Sequence, residues 1–140
     1  MAITQTLCTS FKVEVLNGVH NFSANTFKLA LYTDSATIGA DTLIYTTNNE
    51  VVGTGYTAGG NTLTVSVTPV SSGTTAYVSF TNTSWASSTI TARGALIYNS
   101  SQSNKAVAVL DFGADKTTSN SVFTITFPAA SATSAIVRIS

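Results

Sequence analysis

Four short stretches of the chain alternate apolar residues with mainly polar ones, most of which are threonine and serine, and this alternation restricts the fold more than any other feature. Successive side chains of a β-strand point to opposite faces, so each stretch has one apolar face and one hydroxyl-rich face. Such strands are typical of antiparallel sheets with one face on a core and the other in water. The four stretches are residues 26–32, 61–67, 75–81 and 121–127. In that order, their predicted inward residues are Phe27, Leu29, Leu31; Leu63, Val65, Val67; Ala76, Val78, Phe80; and Phe123, Ile125, Phe127.

Residues 91–99 and 105–112 are apolar on both faces, which predicts two central strands covered on each side. The loop between them, residues 100–104, is short and polar, and it therefore predicts a hairpin. Residues 43–46 and 135–140 predict two further short strands. A total of about seven or eight strands favours a two-layer antiparallel β-sandwich, with jelly-roll and immunoglobulin-like topologies as open alternatives.

Residues 4–17 are the one stretch with the periodicity of an α-helix. Thr4 is predicted to cap the helix, and Gly18 stands where a glycine ends one. A helix of this length needs tertiary packing to persist, so we expect its apolar stripe to lie on the sheet or on another subunit. The stripe is formed by Leu7, Phe11 and Val15, with Cys8 and Leu16 alongside.

The chain has 140 residues, a length that suits one domain. We expect a single domain over residues 1–140, in which the helix of residues 4–17 precedes a β-sandwich over residues 26–140. The fold class is therefore predicted as all-β, with one N-terminal α-helix. No period of about 20–50 residues, the mark of repeat proteins, recurs along the chain.

Composition excludes several classes of protein. One cysteine excludes an intramolecular disulfide, and one cysteine with one histidine excludes a Cys/His zinc site. Six Lys and Arg residues spread along the chain exclude a basic nucleic-acid-binding surface. No apolar run approaches the roughly 20 residues of a membrane span. Residues 1–5 have neither a basic start nor an apolar block, so we expect no secretion signal and synthesis in the cytoplasm.

Two short strings match functional motifs but lack their structural context. Residues 53–58 fit the dinucleotide-binding pattern G-x-G-x-x-A, yet Gly59 and Gly60 follow where that site needs a helix. Residues 111–113 spell the metal-binding triplet of kinases without the other kinase elements, and we interpret them as a strand end leading into a turn. The sequence predicts no cofactor and no metal ligand.

Catalytic residues are not predicted either. Nucleophilic catalysis needs a base near the nucleophile, but the lone His20 is interpreted as a polar turn residue and Cys8 as buried packing. Glycosidases need two carboxylates at one cleft, and no pair stands out among the acids. We therefore predict a non-enzymatic protein, with a small hydrolase that uses an unrecognised carboxylate pair as a remaining hypothesis. The acids are Glu14 on the helix and Asp34, Asp41, Glu50, Asp111 and Asp115 in loops or at strand ends.

Three aromatic residues are candidates for contact with a ligand or a partner. Trp85, the only tryptophan, is predicted to lie in a polar loop and to cap one end of the sandwich, or else to anchor a partner. Tyr45 and Tyr56 bracket the glycine-rich residues 47–60 and could stack on sugars, although packing is the commoner role of such residues.

The surface is predicted to consist of hydroxyls and amides with almost no charge. The chain has 25 Thr, 18 Ser and 10 Asn but only 9% charged residues and a formal net charge of zero. Weakly charged surfaces repel one another little and tend to associate. We therefore expect a homo-oligomer, with a trimer as one candidate.

Several short strings, spread over nearly the whole chain, carry a resemblance to known proteins. The strings are MAITQ at 1–5, SFK at 10–12, GVHNF at 18–22, TFKLALY at 26–32, GTGY at 53–56, ARGALIYN at 92–99 and AVLDFG at 108–113. They resemble a family of small virion structural proteins of tailed bacteriophages. The resemblance implies a non-enzymatic component of the virus particle, without catalytic residues to carry over.

Together these observations lead to one expectation about function and one alternative. The expectation is a capsid decoration, or cement, protein that binds the outside of the major capsid protein shell and stabilises it. The alternative is a tail or tail-fibre component with a role in binding a host receptor or glycan, motivated by Trp85 and by Tyr45 and Tyr56. Neither hypothesis involves nucleic acid or a membrane as partner.

Overall fold

The computed structural model describes residues 2–140 and has the predicted all-β class with one short helix. No helix within these residues has both the length and the apolar character needed to cross a bilayer. In chain order the elements are β1 (Thr6–Leu7), α1 (Thr9–Leu16), β2 (Phe27–Tyr32), β3 (Asn61–Thr62), β4 (Val65–Ser72), β5 (Thr75–Phe80), β6 (Thr83–Ser88), β7 (Thr91–Asn99), β8 (Lys105–Thr117), β9 (Ser121–Ile125) and β10 (Val137–Ile139).

The strands form three antiparallel sheets that pack around a common core. The largest sheet has the order β1-β8-β7-β2-β3, the second has the order β10-β5-β4, and β6 pairs with β9 in the third. Leu96 of the first sheet, Val78 of the second and Phe123 of the third belong to one cluster of buried residues. This is a sandwich-like architecture in which all three sheets contribute to the same core.

The predicted central hairpin is confirmed. Strands β7 and β8 pair from Asn99 opposite Lys105 to Thr91 opposite Thr117. Strand β2 lies on the other side of β7 and is also buried on both faces, whereas the sequence predicted Lys28 and Tyr32 on an open face. The reason is that residues 44–60 cover this face: the hydroxyl of Tyr32 donates to the carbonyl of Thr46 over 2.6 Å.

The predicted helix of residues 4–17 is too long at its start. Thr6 and Leu7 instead form a strand opposite Val109 and Ala108, and the helix begins at Thr9. Thr4 is therefore not the cap; Cys8 occupies the N-cap position, but its side chain makes no capping hydrogen bond to the helix.

The inward face and the C-terminal end of the helix agree with the prediction except at Leu16. Phe11 is buried as predicted, but Leu16 is 88% exposed, so it lies outside the stripe. Gly18 ends the helix as predicted, with a φ of 72°. Since L side chains rarely adopt this conformation, glycine suits the position.

Several strand predictions need correction. Residues 43–46 form no strand and contribute only an isolated bridge between Ile44 and Lys105. Residues 135–140 reduce to the three residues of β10, while β8 extends five residues beyond its predicted end at Phe112. In β5, Ala76 is exposed and Ser79 is buried, because the distal part of the β4–β5 hairpin projects away from the core.

Gly60 allows the closest backbone approach in the large sheet. Its φ is 75°, and a Cβ atom at this position would overlap the carbonyl oxygen of Leu29. Only glycine therefore lets β3 lie against β2 at this point. The contact also fixes the end of the segment that covers β2, which contains the most buried carboxylate of the molecule.

Candidate functional site

Glu50 is a carboxylate in the protein interior. Glu50 is only 6% exposed, and both of its carboxylate oxygens accept hydrogen bonds. The hydroxyl of Tyr45 donates to Oε1 over 2.7 Å, and the hydroxyl of Tyr56 donates to Oε2 over 2.6 Å. The backbone N–H of Gly59 adds a third bond, to Oε2, over 2.8 Å. Three donors compensate for the loss of water around the carboxylate.

This cluster ties residues 44–60 to strands β2 and β7. The hydroxyl of Tyr56 also accepts the backbone N–H of Leu31, in β2, over 2.9 Å. Tyr98, in β7, donates its hydroxyl to the carbonyl of Gly59 over 2.7 Å, and its ring stacks on that of Tyr45 with 4.6 Å between centroids. The arrangement is therefore an anchor for the covering segment.

The anchor changes the acidity of the tyrosines around it. Burial raises the pKa of Tyr98 to about 12, and the negative charge of Glu50 adds to the effect. The pKa values of Tyr56 and Tyr45 are raised well above 10, first by burial and then by the hydrogen bonds to Glu50. At neutral pH all three hydroxyls are protonated, and those of Tyr45 and Tyr56 donate to the carboxylate of Glu50. Tyr45 and Tyr56 thus pack, which was the commoner of the two predicted roles.

The sequence analysis missed this arrangement because it treated Glu50 as one of several loop acids. One signal could have identified it: Glu50 is the only charged residue between Asp41 and Arg93. An isolated charge with tyrosines close by on both sides indicates a buried carboxylate with phenolic donors, since lone charges are rarely buried without partners.

His20 is also buried, which corrects its interpretation as a polar turn residue. Its side chain is fully inaccessible, and its ring lies 4.9 Å from the ring of Phe11 between centroids. Nε2 lies 2.9 Å from Glu14 Oε1, and Nδ1 lies 3.1 Å from the amide nitrogen of Asn99. Lys105 Nζ approaches the other oxygen of Glu14 at 3.4 Å. The group links α1 to the ends of β7 and β8.

Cys8 is completely buried, as the sequence predicted. Burial, followed by the charge of Glu14, raises the pKa of its thiol to about 11. A thiol that is neither accessible nor ionised at neutral pH is a poor nucleophile. The residue therefore acts as packing beneath the start of the helix.

Two further acids pair with one arginine. Arg93 contacts Asp34 through NH1 and Asp111 through Nε, each over 3.2 Å. The backbone N–H of Gly113 donates to Asp111, and this bond, followed by Arg93, lowers the pKa of Asp111. The predicted strand end at residues 111–113 is wrong, because β8 continues to Thr117. The strand contains a bulge there, in which four residues of β8 lie opposite Arg93 alone. Within residues 2–140, no cluster of three or more His, Cys, Asp or Glu side chains could hold a metal ion.

Trp85 does not lie in a loop. It belongs to β6, is 5% exposed, and packs between Tyr56 and Phe123 at centroid distances of 5.7 and 6.2 Å. It is a core residue and is not available at the surface as an anchor. Residues 53–58 form a loop without a following helix, so the dinucleotide motif lacks its context as expected.

A surface groove of about 520 Å³ runs between β8 and β9. These strands follow one another in the chain but belong to different sheets, and they separate after the turn that joins them. Apolar side chains of Leu110, Phe112 and Ile136 line the groove, together with every residue from Val122 to Pro128. Lys116 is the only charged residue in the lining. The groove therefore combines apolar and hydroxyl-bearing side chains, and it lies along the edge of β9 that does not pair with β6.

No protein-family model, no curated protein and no solved structure matches the chain.

Proposed function

We propose that this protein is a non-enzymatic virion structural protein of a tailed bacteriophage, which binds the outside of the major capsid protein shell and stabilises it. The observation that carries the proposal is the combination of a nearly uncharged, hydroxyl-rich exterior with ionisable side chains that are used for internal contacts. The short strings that resemble phage virion proteins supply the biological context.

Internal contacts engage four of the six carboxylates and the only histidine. These acids are Glu14, Asp34, Glu50 and Asp111. An acid used in catalysis faces a cleft in which substrate can reach it, whereas Glu50 faces the tyrosines that hold it. The most perturbed groups of the molecule thus have structural explanations, which supports a binding role over a hydrolytic one.

The exterior offers many neutral contacts. Exposed positions of β4 and β9 are serine, threonine, valine or proline, and the chain has no net charge. Copies of such a protein can sit side by side on a shell without electrostatic repulsion. Individually weak contacts are sufficient, because equivalent contacts add up over a closed and symmetric surface.

The test is to compare phage particles with and without the protein. Particles that lack it are expected to release their genome at lower temperature and lower pressure than wild-type particles. Adding the purified chain back should restore both tolerances and should saturate at hundreds of copies per particle. Unchanged tolerance in particles without the protein would contradict the proposal.

The tail or tail-fibre alternative is distinguished by copy number, since a tail component is present in a few dozen copies at most. The three aromatic residues that suggested a glycan-binding tail protein no longer support it, because Trp85 is buried and the hydroxyls of Tyr45 and Tyr56 bind Glu50. Saturation at tail stoichiometry would favour the tail location and overturn the shell location.

A further inference from the structure

The strands at the edges of the three sheets differ in how well they are protected from pairing with another chain. Proteins block open edges with proline, charge, bulges or very short strands. Strand β4 contains Pro69 and two shifts in its register with β5. Strand β10 has three residues with Arg138 at its centre, and β1 and β3 have two residues each. These four edges therefore have a recognisable form of protection, and the fifth, β6, carries a bulge between Trp85 and Ser88, where two of its residues lie opposite one residue of β9.

Strand β9 has no such protection. It contains five residues, without proline, glycine or charge, and it alternates buried Phe123 and Ile125 with exposed Val122 and Thr124. The chain carries no charged residue from 117 to 137, so the flanks are neutral as well. In the part of the chain that the structure describes, β6 is the only strand hydrogen-bonded to β9.

The unpaired backbone groups of β9 point into the groove beside β8. The hydroxyl of Ser88, in β6, donates to the carbonyl of Ser121, and the N–H of Phe127 donates to the side chain of Asn82, which precedes β6. Odd-numbered residues of β9 thus direct their backbone groups towards β6. Because consecutive residues alternate in direction, Val122 and Thr124 direct theirs to the open edge.

We propose that this edge is the interface of a homodimer, in which β9 pairs antiparallel with β9 of a second copy across a two-fold axis at Thr124. A two-fold axis centred on a residue pairs residues of the same face. It would place Thr124 opposite itself and Phe123 opposite Ile125, so the buried faces of both strands continue into each other.

Charge argues for a second copy as the partner. The edge carries no charge that would select a charged strand, and an identical strand brings the same neutral side chains. Lys116, the only charge in the groove, lies next to the β8–β9 turn. Antiparallel pairing therefore puts the two Lys116 side chains at opposite ends of the interface, where they do not repel each other. The partner's β9 then covers the groove beside Phe112, which packs on Phe123 on the buried face of the strand.

The test is sedimentation equilibrium of the purified full chain and two lysine variants. Wild type is expected to have about twice the 14.5 kDa mass of one chain. Thr124→Lys puts like charges opposite each other at the axis and should raise the dimer dissociation constant at least about tenfold. Ser84→Lys is the matched control, because Ser84 pairs with Thr124 on β6 and is exposed at the surface away from the open edge. Its dissociation constant should stay within about twofold of wild type.

A second variant, Thr124→Pro, tests the backbone pairing without adding charge. It removes one N–H from the open edge, a position at which strands tolerate proline, and it should also give monomers. Circular dichroism would establish that each variant is folded before it is compared.

The inference does not depend on the shell role, since the dimer is a property of the isolated chain. A wild-type mass of one chain or of three chains would overturn it, as would a dimer unaffected by both changes at Thr124. A dissociation constant raised as much in Ser84→Lys as in Thr124→Lys would also overturn it, because the interface would then not be confined to the edge. A monomer that still decorates shells would leave the proposed function standing.

Discussion

The β7–β8 hairpin and the β4–β5 hairpin are both regular antiparallel pairs, but they are held in place by different means. In the first, Leu96, Ile97 and Val107 are fully buried, and β2 and residues 44–60 cover it further. In the second, every residue of β4 from Thr68 to Ser72 is exposed. Beyond Val67, therefore, the second hairpin depends on cross-strand pairing and on its turn at Gly73, without help from a core.

The comparison shows that backbone pairing and stability are separate properties in this chain. Strand β10 extends the exposed hairpin by only three residues, and strands with little core contact add little stability, so the free energy of unfolding must come mainly from the covered sheet. The exposed hairpin is free to vary on its outer surface, whereas the covered one is restricted by neighbours on both faces. Substitutions in the two hairpins should therefore differ in effect even when the change in the side chain is similar.

The largest difference is expected between Leu96→Ala and Val70→Ala. Leu96 is completely buried in β7, so truncation should lower the free energy of unfolding by about 2–5 kcal/mol. Val70 is 44% exposed in β4, and its truncation should change that free energy by less than about 1 kcal/mol. Urea denaturation followed by circular dichroism measures both. Equal losses would mean that the exposed hairpin is buried in solution.

A somewhat smaller effect is expected from Glu50→Gln, which tests the segment that covers β2 and β7. In this variant the amide –NH2 group would face the hydroxyl and backbone N–H groups that now donate to the carboxylate, so that donor meets donor. We expect the free energy of unfolding to fall by about 2–4 kcal/mol. Asp115→Asn is the matched control, since it removes the same charge from an exposed position of β8 and should change stability by less than about 0.5 kcal/mol. Wild-type stability in Glu50→Gln would show that the carboxylate does not anchor the segment.

The smallest effect at neutral pH, but a specific one, is expected on raising the pH. The pKa of Tyr98 is raised to about 12, and those of Tyr32, Tyr45 and Tyr56 are raised too, so folding favours their neutral forms. Their contribution to stability is complete below the unfolded pKa of about 10 and is lost as the pH rises towards about 12. Phenolate absorbance of these tyrosines should therefore appear together with the loss of native circular dichroism. Their ionisation in a fully native protein at pH 10 would contradict the anchor geometry.

The sequence predicts those parts of the fold in which local pattern and tertiary environment agree. The apolar run of β7 is consistent only with a strand covered on both sides, and its predicted bounds match the structure. In β9, the alternation of Phe123 and Ile125 with Val122 and Thr124 likewise gives the observed faces. The predictions failed where one residue fits two patterns: Leu7 suits a helical stripe, but pairing with β8 places it in a strand.

The remaining differences depend on contacts that local pattern does not contain. Trp85 is the only large apolar residue of β6, so no alternation marks the strand, and its pairing with Phe123 of β9 decides the structure. The donors of Glu50 lie within nine residues of it, but the sequence does not reveal that Leu31 and Tyr98 complete their hydrogen bonds. Residues distant in sequence thus determine what the covering segment does.

The deep position of Cys8 has a practical consequence for work on this molecule. Since its thiol is inaccessible and its pKa is about 11, maleimide reagents at neutral pH should leave the native chain unlabelled. A cysteine introduced on the surface would then be the single attachment point for a fluorophore or spin label. Distances between labels on different copies of the chain could be measured without first removing the natural thiol.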